Sequence, residues 1–344
     1  MVRACLRSTF SGHDSDVLRE WIKRDSPRCF DCKQSGGRVL IIPPSTIFAA
    51  VWQAATAAWL ASATVVLRPS RREPAFARLL QQSVLAEAGE ILPTQILNSE
   101  PGTQNLYPFT TIVAYGSDQT IQTLRHSSKT NLIGFGTKIS VAYVGRQGLR
   151  QYGLDDLAAR AAWDTVLYET QGCLSPQCFY VEEGDHLSAV QFARKLAIAM
   201  EKLDARLPRI TRKDEKLEEE SFWQTWRFWE SQGRAHIFGR RVIFQREDRF
   251  EPCGLRRVVF VIPLRRPGDV IRHCGKWTNR LSTIAGSDAA SLARLKQSFG
   301  SQRGIRFCTI GEMHQPPPWW RNGGVNLLRE LNKVLQARNH HYKA

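Results

Sequence analysis

The first 140 residues carry short, continuous apolar runs separated by amphipathic stretches. "GGRVLIIPPS" is one such run, closed by Pro43 and Pro44, and it predicts a strand ending in a loop. The uncharged segment from Phe48 to Leu67, "FAAVWQAATAAWLASATVVL", approaches the ~20 residues that span a bilayer. Its Ala, Ser, Thr and Gln content makes insertion poor. The segment divides instead into a helix to about Leu60 and a β-branched strand that ends at Arg68-Pro69. "EPAFARLLQQSVLAEAGE" predicts an amphipathic helix, "TTIVAYGS" a strand and turn, "DQTIQTLRHSS" a helix and "NLIGFG" a strand. Strands that are apolar without alternation, separated by helices, indicate a parallel sheet covered on both faces. The expected fold is therefore α/β, beginning with a doubly wound domain. Its turns "PPST", "RPSRRE" and "YGSD" fall at the carboxyl ends of strands, the edge where open α/β sheets bind ligands. No G-x-G-x-x-G fingerprint occurs.

From about Lys138 the rhythm changes. "LDDLAARAAWDTVLYETQ" predicts a helix running up to Gly172-Cys173, "QCFYVEEG" a strand and "HLSAVQFARKLAIAMEKLDARL" a long amphipathic helix. "TRKDEKLEEE" predicts a solvated helix start, and "SFWQTWRFWE" supplies aromatic anchors. "RVVFVIPL" is another strand of the buried type. The tail "MHQPPPWWRNGGVNLLRELNKVL" reads as a Pro/Trp loop, a Gly pair and a last helix, and its Trp319, Trp320, Gly323 and Gly324 either shape a pocket or simply pack.

At 344 residues the chain is sized for two domains. Its net charge of +16 calls for an anionic partner: nucleic acid, a membrane surface, or a polyanionic ligand or carrier. Lys and Arg are scattered rather than clustered, and no nucleic-acid-binding signature is present, so nucleic acid is not expected. Eight cysteines in a chain of this size point to free thiols in a reducing cytoplasm. Cys29 and Cys32 have C-x-x-C spacing without a second pair, and His126, His273 and His314 lack ligand spacing. No metal is expected.

Cys173 sits in "YETQGCLSPQCF", between Gly172 and the Ser175-Pro176 step. Backbone amides of such a turn can stabilise a thiolate and later an oxyanion. No His adjoins it, and a free cysteine is often simply buried, so nucleophile and core residue both stand at this point. Cys178, within the strand, reads as core.

"ETQGCLSPQCFYVEE" resembles the catalytic-cysteine segment of the aldehyde dehydrogenase superfamily, and within it the acyl-CoA reductase branch, LuxC. "ATVVLRPSRREP" is similar to the strand and Lys-Pro-Ser turn that holds the adenosine ribose of the cofactor, with Arg68 in place of Lys. "IVAYGSDQTI" resembles the Gly-Ser turn at the cofactor pyrophosphate. "IGFGTKIS" matches the passage into the catalytic domain, and "RGIRFCTIGEMHQPPPWWRNGGVNLLREL" the closing segment of the reductase branch. The match runs from about Leu40 to Leu328.

The resemblance implies an aldehyde-dehydrogenase-like fold: an N-terminal segment over 1–35, shorter than is usual in the family, a nicotinamide-cofactor domain over 36–140, a second α/β domain over 141–315 carrying the cysteine, and a C-terminal segment over 316–344 packing back near the domain interface. It implies NADPH-dependent reduction of a long-chain acyl-CoA, or an acyl thioester on a carrier protein, to the aldehyde. Cys173 would form the acyl-enzyme. Ser45 would stand where the superfamily has its oxyanion-hole Asn, and a Ser there suggests, as an alternative, a weakened member that only binds nucleotide or thioester. Arg68, Ser70, Arg71, Gly116, Ser117 and Gly136 would hold the cofactor. The basic turn Arg68, Arg71 and Arg72 favours a 2′-phosphate, hence NADPH, because guanidinium binds phosphate through a planar fork. Hydrolytic members carry a water-activating Glu where this chain has Gly134, so the acyl-enzyme would wait for hydride rather than water. An acyl-protein synthetase or transferase partner and a homo-oligomer are further expectations.

Overall fold

The computed structural model describes residues 14–25, 37–44, 46–47, 50–97, 108–184, 188–209, 216–247, 250–300 and 304–341, with side chains as far as residue 337. These fall into two compact units. One holds the described residues up to Thr137 and those from Pro317 onward; the other holds Lys138–Pro316.

The first unit contains α1 (Ser15–Asp25), β1 (Arg38–Ile42), α2 (Ala50–Leu60), β2 (Thr64–Leu67), α3 (Ala75–Ala88), β3 (Thr94–Ile96), β4 (Thr111–Tyr115), α4 (Asp118–Ser127), β5 (Asn131–Phe135) and, from the tail, the helix Leu327–His341. Its five strands lie in the order β3-β2-β1-β4-β5 and all neighbours are parallel. Successive side chains of a strand point to opposite faces, and here both faces are covered. Val39, Ile41, Val65, Leu67 and Val113 pack with α2, α3, Trp21 of α1 and Leu327, Leu328, Leu331 and Leu335 of the tail helix. Leu40, Val66, Ile112 and Ala114 pack on the other side with Ile121 of α4. This double burial is why the strands read as unbroken apolar runs. The uncharged stretch after Phe48 is confirmed as a buried helix and a strand, and no helix among the described residues is long and apolar enough to cross a membrane.

The second unit contains β6 (Ile139–Val144), α5 (Arg146–Val166), β7 (Pro176–Glu182), α6 (Ala189–Arg206), α7 (Lys216–Ser231), β8 (Ala235–Phe238), β9 (Val242–Gln245), β10 (Val259–Leu264), α8 (Asp269–Cys274), β11 (Leu281–Gly286), α9 (Ala289–Phe299) and β12 (Arg306–Thr309); the tail helix of the first unit is then α10. Strand order is β12-β11-β6-β7-β10-β9-β8, parallel except for the β8–β9 hairpin. Phe179 and Val181 of β7 face a core shared with α5 and α6. Cys178 and Tyr180 face the opposite core, where Trp226 of α7 meets Phe260. Cys178 is thus a fully buried packing residue.

One local expectation is corrected. The helix expected to run to Gln171 stops at Val166 and is preceded by an extra segment, joined through Gly153 at φ 77°. Tyr168, Glu169 and Thr170 then take φ of 58°, 61° and 57°, so the chain enters the cysteine turn through left-handed backbone.

Candidate active site

Cys173 stands in the turn immediately before β7, at the amino end of a central strand flanked by β6 and β10. Its carbonyl accepts from Ser140 Oγ at 2.6 Å, and Ser140 Oγ accepts from the amide of Thr283 at 3.0 Å. Ser175 closes the turn with its amide on the carbonyl of Gly172 at 3.0 Å. The cysteine is half-buried and free. Desolvation pushes its thiol up to about 11, against the Ser282 hydroxyl, a backbone amide and the positive charge of Lys138, which all favour the thiolate. The resting side chain at neutral pH is therefore a thiol whose ionisation these groups assist. Ser282 and Ser175 are themselves buried, and apart from the Cys173 sulfur beside Ser282 neither hydroxyl has a hydrogen-bond partner among the described residues.

The backbone ahead of Cys173 is held by a buried network. Arg257 has no exposed side-chain surface and forks onto Glu169, with Nε to Oε2 at 3.0 Å and Nη2 to Oε1 at 2.5 Å. Its Nη1 reaches Asp204 of α6 and the carbonyl of Leu207. The amide of Arg257 donates to Thr170 Oγ1 at 2.7 Å, and Gln177 Nε2 donates to the carbonyl of Thr170 at 2.8 Å. Further along, Asp164 of α5 accepts from the amides of Gly311 and Met313, and His314 Nε2 lies 2.8 Å from the carbonyl of Asp164. The His314 ring packs against Tyr168.

In the first unit the chain order reverses between β1 and β4, which places a crevice at the carboxyl ends of those strands. Gly116 and Ser117 lie there. Ser117 caps α4, its Oγ accepting from the amide of Thr120 at 3.2 Å. The remaining amides of this first turn present the positive end of the helix dipole to an anion. Gly116 is tight against Thr120, where a Cβ would come within 3.1 Å of two side-chain carbons. Gly136 follows β5 and packs against the Asp118 carboxylate, which takes the amide of Thr137 at 2.9 Å. Arg68 and Ser70 follow β2 half-buried, with Arg71 and Arg72 exposed beyond them; Ser70 Oγ accepts from the amide of Arg72. The carboxyl edge of this sheet therefore gathers Arg68, Ser70, Arg71, Gly116, Ser117 and Gly136 from separate stretches of chain. A nucleotide's phosphates fit this donor set.

Ser45, Cys29 and Cys32 lie outside the described residues. The Trp loop is packed: Gln53 of α2 donates to the carbonyls of Pro318 and Trp320, and Arg24 of α1 lies over Trp319. Among the described residues no group of three or more His, Cys, Asp or Glu is placed to hold a metal ion. Sequence reasoning missed Ser140, Ser282, Glu169 and Arg257. Glu169 lies in the cysteine segment itself, but nothing local marks it as the partner of an arginine 88 positions on.

A family model described as acyl-CoA reductase (LuxC) matches residues 2–334. No curated protein matches the sequence. Among solved structures, an indole-3-acetaldehyde dehydrogenase complexed with NAD+ superposes with a TM-score of 0.62 at 12% identity, covering 85% of this chain and 64% of that one. A gamma-glutamyl-gamma-aminobutyraldehyde dehydrogenase from Burkholderia cenocepacia J2315 gives 0.63 at 15% identity, covering 88% and 69%. An NAD-dependent aldehyde dehydrogenase from Sinorhizobium meliloti gives 0.58 at 14%, covering 80% and 59%. The chain spans less than two thirds of the first and third of these. At such identities the likeness is one of fold: the two-unit α/β architecture of aldehyde dehydrogenases.

Proposed function

We propose, since the chain belongs to the acyl-CoA reductase (LuxC) family, that it reduces a long-chain fatty acyl-CoA, or an acyl thioester on a carrier protein, to the aldehyde, with NADPH as the reductant. The observation that carries this reading is the placement of Cys173: a half-buried thiol in a turn fixed from several sides, with Lys138 and Ser282 favouring its thiolate. The Cys173 thiol releases its proton to solvent, the resulting thiolate attacks the thioester carbonyl, the bond to the CoA sulfur breaks, and CoA leaves as the thiolate. The acyl group remains on Cys173. Ser45 is the proposed donor to the oxyanion of this step, by its place in the family motif. When bound, the nicotinamide supplies the hydride. The thiohemiacetal on Cys173 then expels the thiolate and releases aldehyde.

Gly134 supports reduction over hydrolysis. It lies in β5 against Ile121, where a Cβ would stand 2.5 Å from Cγ2, so no carboxylate can be carried there without displacing a buried side chain. Arg68 and Arg71 are the proposed contacts to a 2′-phosphate, with Ser70 at the ribose and Gly116, Ser117 and Gly136 at the pyrophosphate turn. The charge of +16 suits the phosphates of CoA or an acidic carrier protein.

The test is NADPH oxidation across acyl-CoA chain lengths, with Cys173→Ala as control. Chain-length-dependent oxidation lost in Cys173→Ala is the expected result. Nucleotide and acyl-CoA binding with no oxidation at any length would establish a member that only binds.

A further inference from the structure

Tyr168, Glu169 and Thr170 form a run of three consecutive non-glycine residues with positive φ. L residues avoid this region because Cβ crowds the backbone carbonyl, and they enter it singly rather than in runs. All three are buried, and none is the Gly or Asn that such a conformation favours. A strained run of this kind persists only where its surroundings dictate it.

The surroundings are the 254–257 segment and the far side of the cysteine. Arg257, itself at φ 57°, donates its amide to both Thr170 Oγ1 and the carbonyl of Glu169 while its guanidinium forks onto the Glu169 carboxylate. Thr170 Oγ1 lies 3.0 Å from the carbonyl of Leu255, and Gln171 Nε2 donates to the carbonyl of Gly254 at 2.8 Å. Gln177, four residues beyond Cys173, donates back to the carbonyl of Thr170. Asp204 and the Leu207 carbonyl hold the other arm of Arg257, so the run is tied to α6 and the core beneath it. A bidentate guanidinium–carboxylate fork fixes orientation as well as distance. A pair retained for stability alone could be replaced by apolar packing.

We propose that Glu169 and Arg257 are positioning residues for Cys173: their fork locks the left-handed run, and the run sets where the thiol stands at the amino end of β7. The assignment rests on the reading of Cys173 as the acyl-accepting nucleophile and adds the device that aims it. Release of the run lets the thiol move into solvent. Because burial is the main cause of its raised pKa, a released thiol ionises more readily and reacts faster with a small probe, yet is misplaced for catalysis.

The experiment measures alkylation of Cys173 by iodoacetamide between pH 6 and 10, with the site assigned by peptide mass spectrometry. It uses the full chain as wild type, Glu169→Gln and Thr170→Gly, with Phe192→Leu in the α6 core as a control for lost stability. Thr170→Gly removes the hydroxyl that Arg257 uses while accepting positive φ without strain. Alkylation at pH 8 is expected to rise about tenfold in Glu169→Gln and Thr170→Gly, with a lower pH midpoint, while kcat falls by about tenfold or more. Phe192→Leu should keep the wild-type profile. Wild-type profiles in every folded variant, or an equal rise in Phe192→Leu, overturn the proposal; if Glu169→Gln does not fold, Thr170→Gly decides. Alkylation needs no acyl substrate. A Cys173→Ala protein that still makes aldehyde therefore removes the nucleophile reading separately from this one.

Discussion

The Ser140 hydroxyl on β6 donates to the carbonyl of Cys173 and accepts from the amide of Thr283 on β11, joining the cysteine turn to two strands through one oxygen. Ser140→Ala removes both bonds at once. Leaving a buried backbone group unpaired costs about 1–3 kcal/mol. The variant should unfold at lower urea concentration with an unchanged slope, and its kcat should fall more than its KM rises. Full activity with wild-type stability would show that the turn is held without Ser140.

Gly134 is the proposed counterpart of a water-activating Glu, and a Cβ there would meet the side chain of Ile121. Gly134→Glu is therefore expected to overpack, at about 1–3 kcal/mol, and to lower Tm without producing free fatty acid. Product analysis by chromatography decides it. Fatty acid formed at the expense of aldehyde would mean that the position still reaches the acyl-enzyme.

Asp164 and His314 oppose each other in pH. Burial pushes the Asp164 carboxyl up to about 7, against the donated amides of Gly311 and Met313. Its contribution to stability is complete below about pH 4 and is lost as pH rises through about 7, because the unfolded chain releases the proton first. Burial pushes His314 down to about 4, so its contribution is present above about pH 6.5 and is lost as pH falls. Asp164→Asn removes the first effect alone. The unfolding free energy of the variant minus that of wild type should climb between pH 4 and 7, by up to about 1.4 kcal/mol per pH unit. Urea titrations at four pH values suffice, and a difference independent of pH would contradict the assignment.

Arg71, exposed beyond β2, carries the proposed preference for the phosphorylated coenzyme. Arg71→Ala should raise KM for NADPH about tenfold, the worth of one charge-assisted contact, and leave KM for NADH unchanged. Equal changes for both would remove the 2′-phosphate from the account.

Four strands of the first sheet were legible because they are short continuous apolar runs whose turns carry Pro, Ser and Gly; β3 is only "TQI", with an exposed centre, and gives no strand signal. The second sheet was legible only in β7 and β10. β11 is "LSTIAG", whose Ser, Thr and Gly give no strand signal although all six residues are buried. β6 is fully buried too, but it begins one residue after the division between the units, where the change in apolar rhythm masks it. The β8–β9 hairpin turns at Gly239 without an Asn-Gly or Asp-Gly pair. The cysteine turn was visible, but its left-handed entry was not: Tyr168, Glu169 and Thr170 lack turn chemistry, and what holds them arrives from Arg257. Long-range tertiary bonds override local propensity there.

The central claim is that Cys173 carries the acyl group. Incubation with a radiolabelled long-chain acyl-CoA, without nicotinamide, should place one acyl group on the peptide containing Cys173. Addition of NADPH should then discharge that label as aldehyde. A Cys173→Ala protein that still forms aldehyde, or label found on another residue, would contradict it.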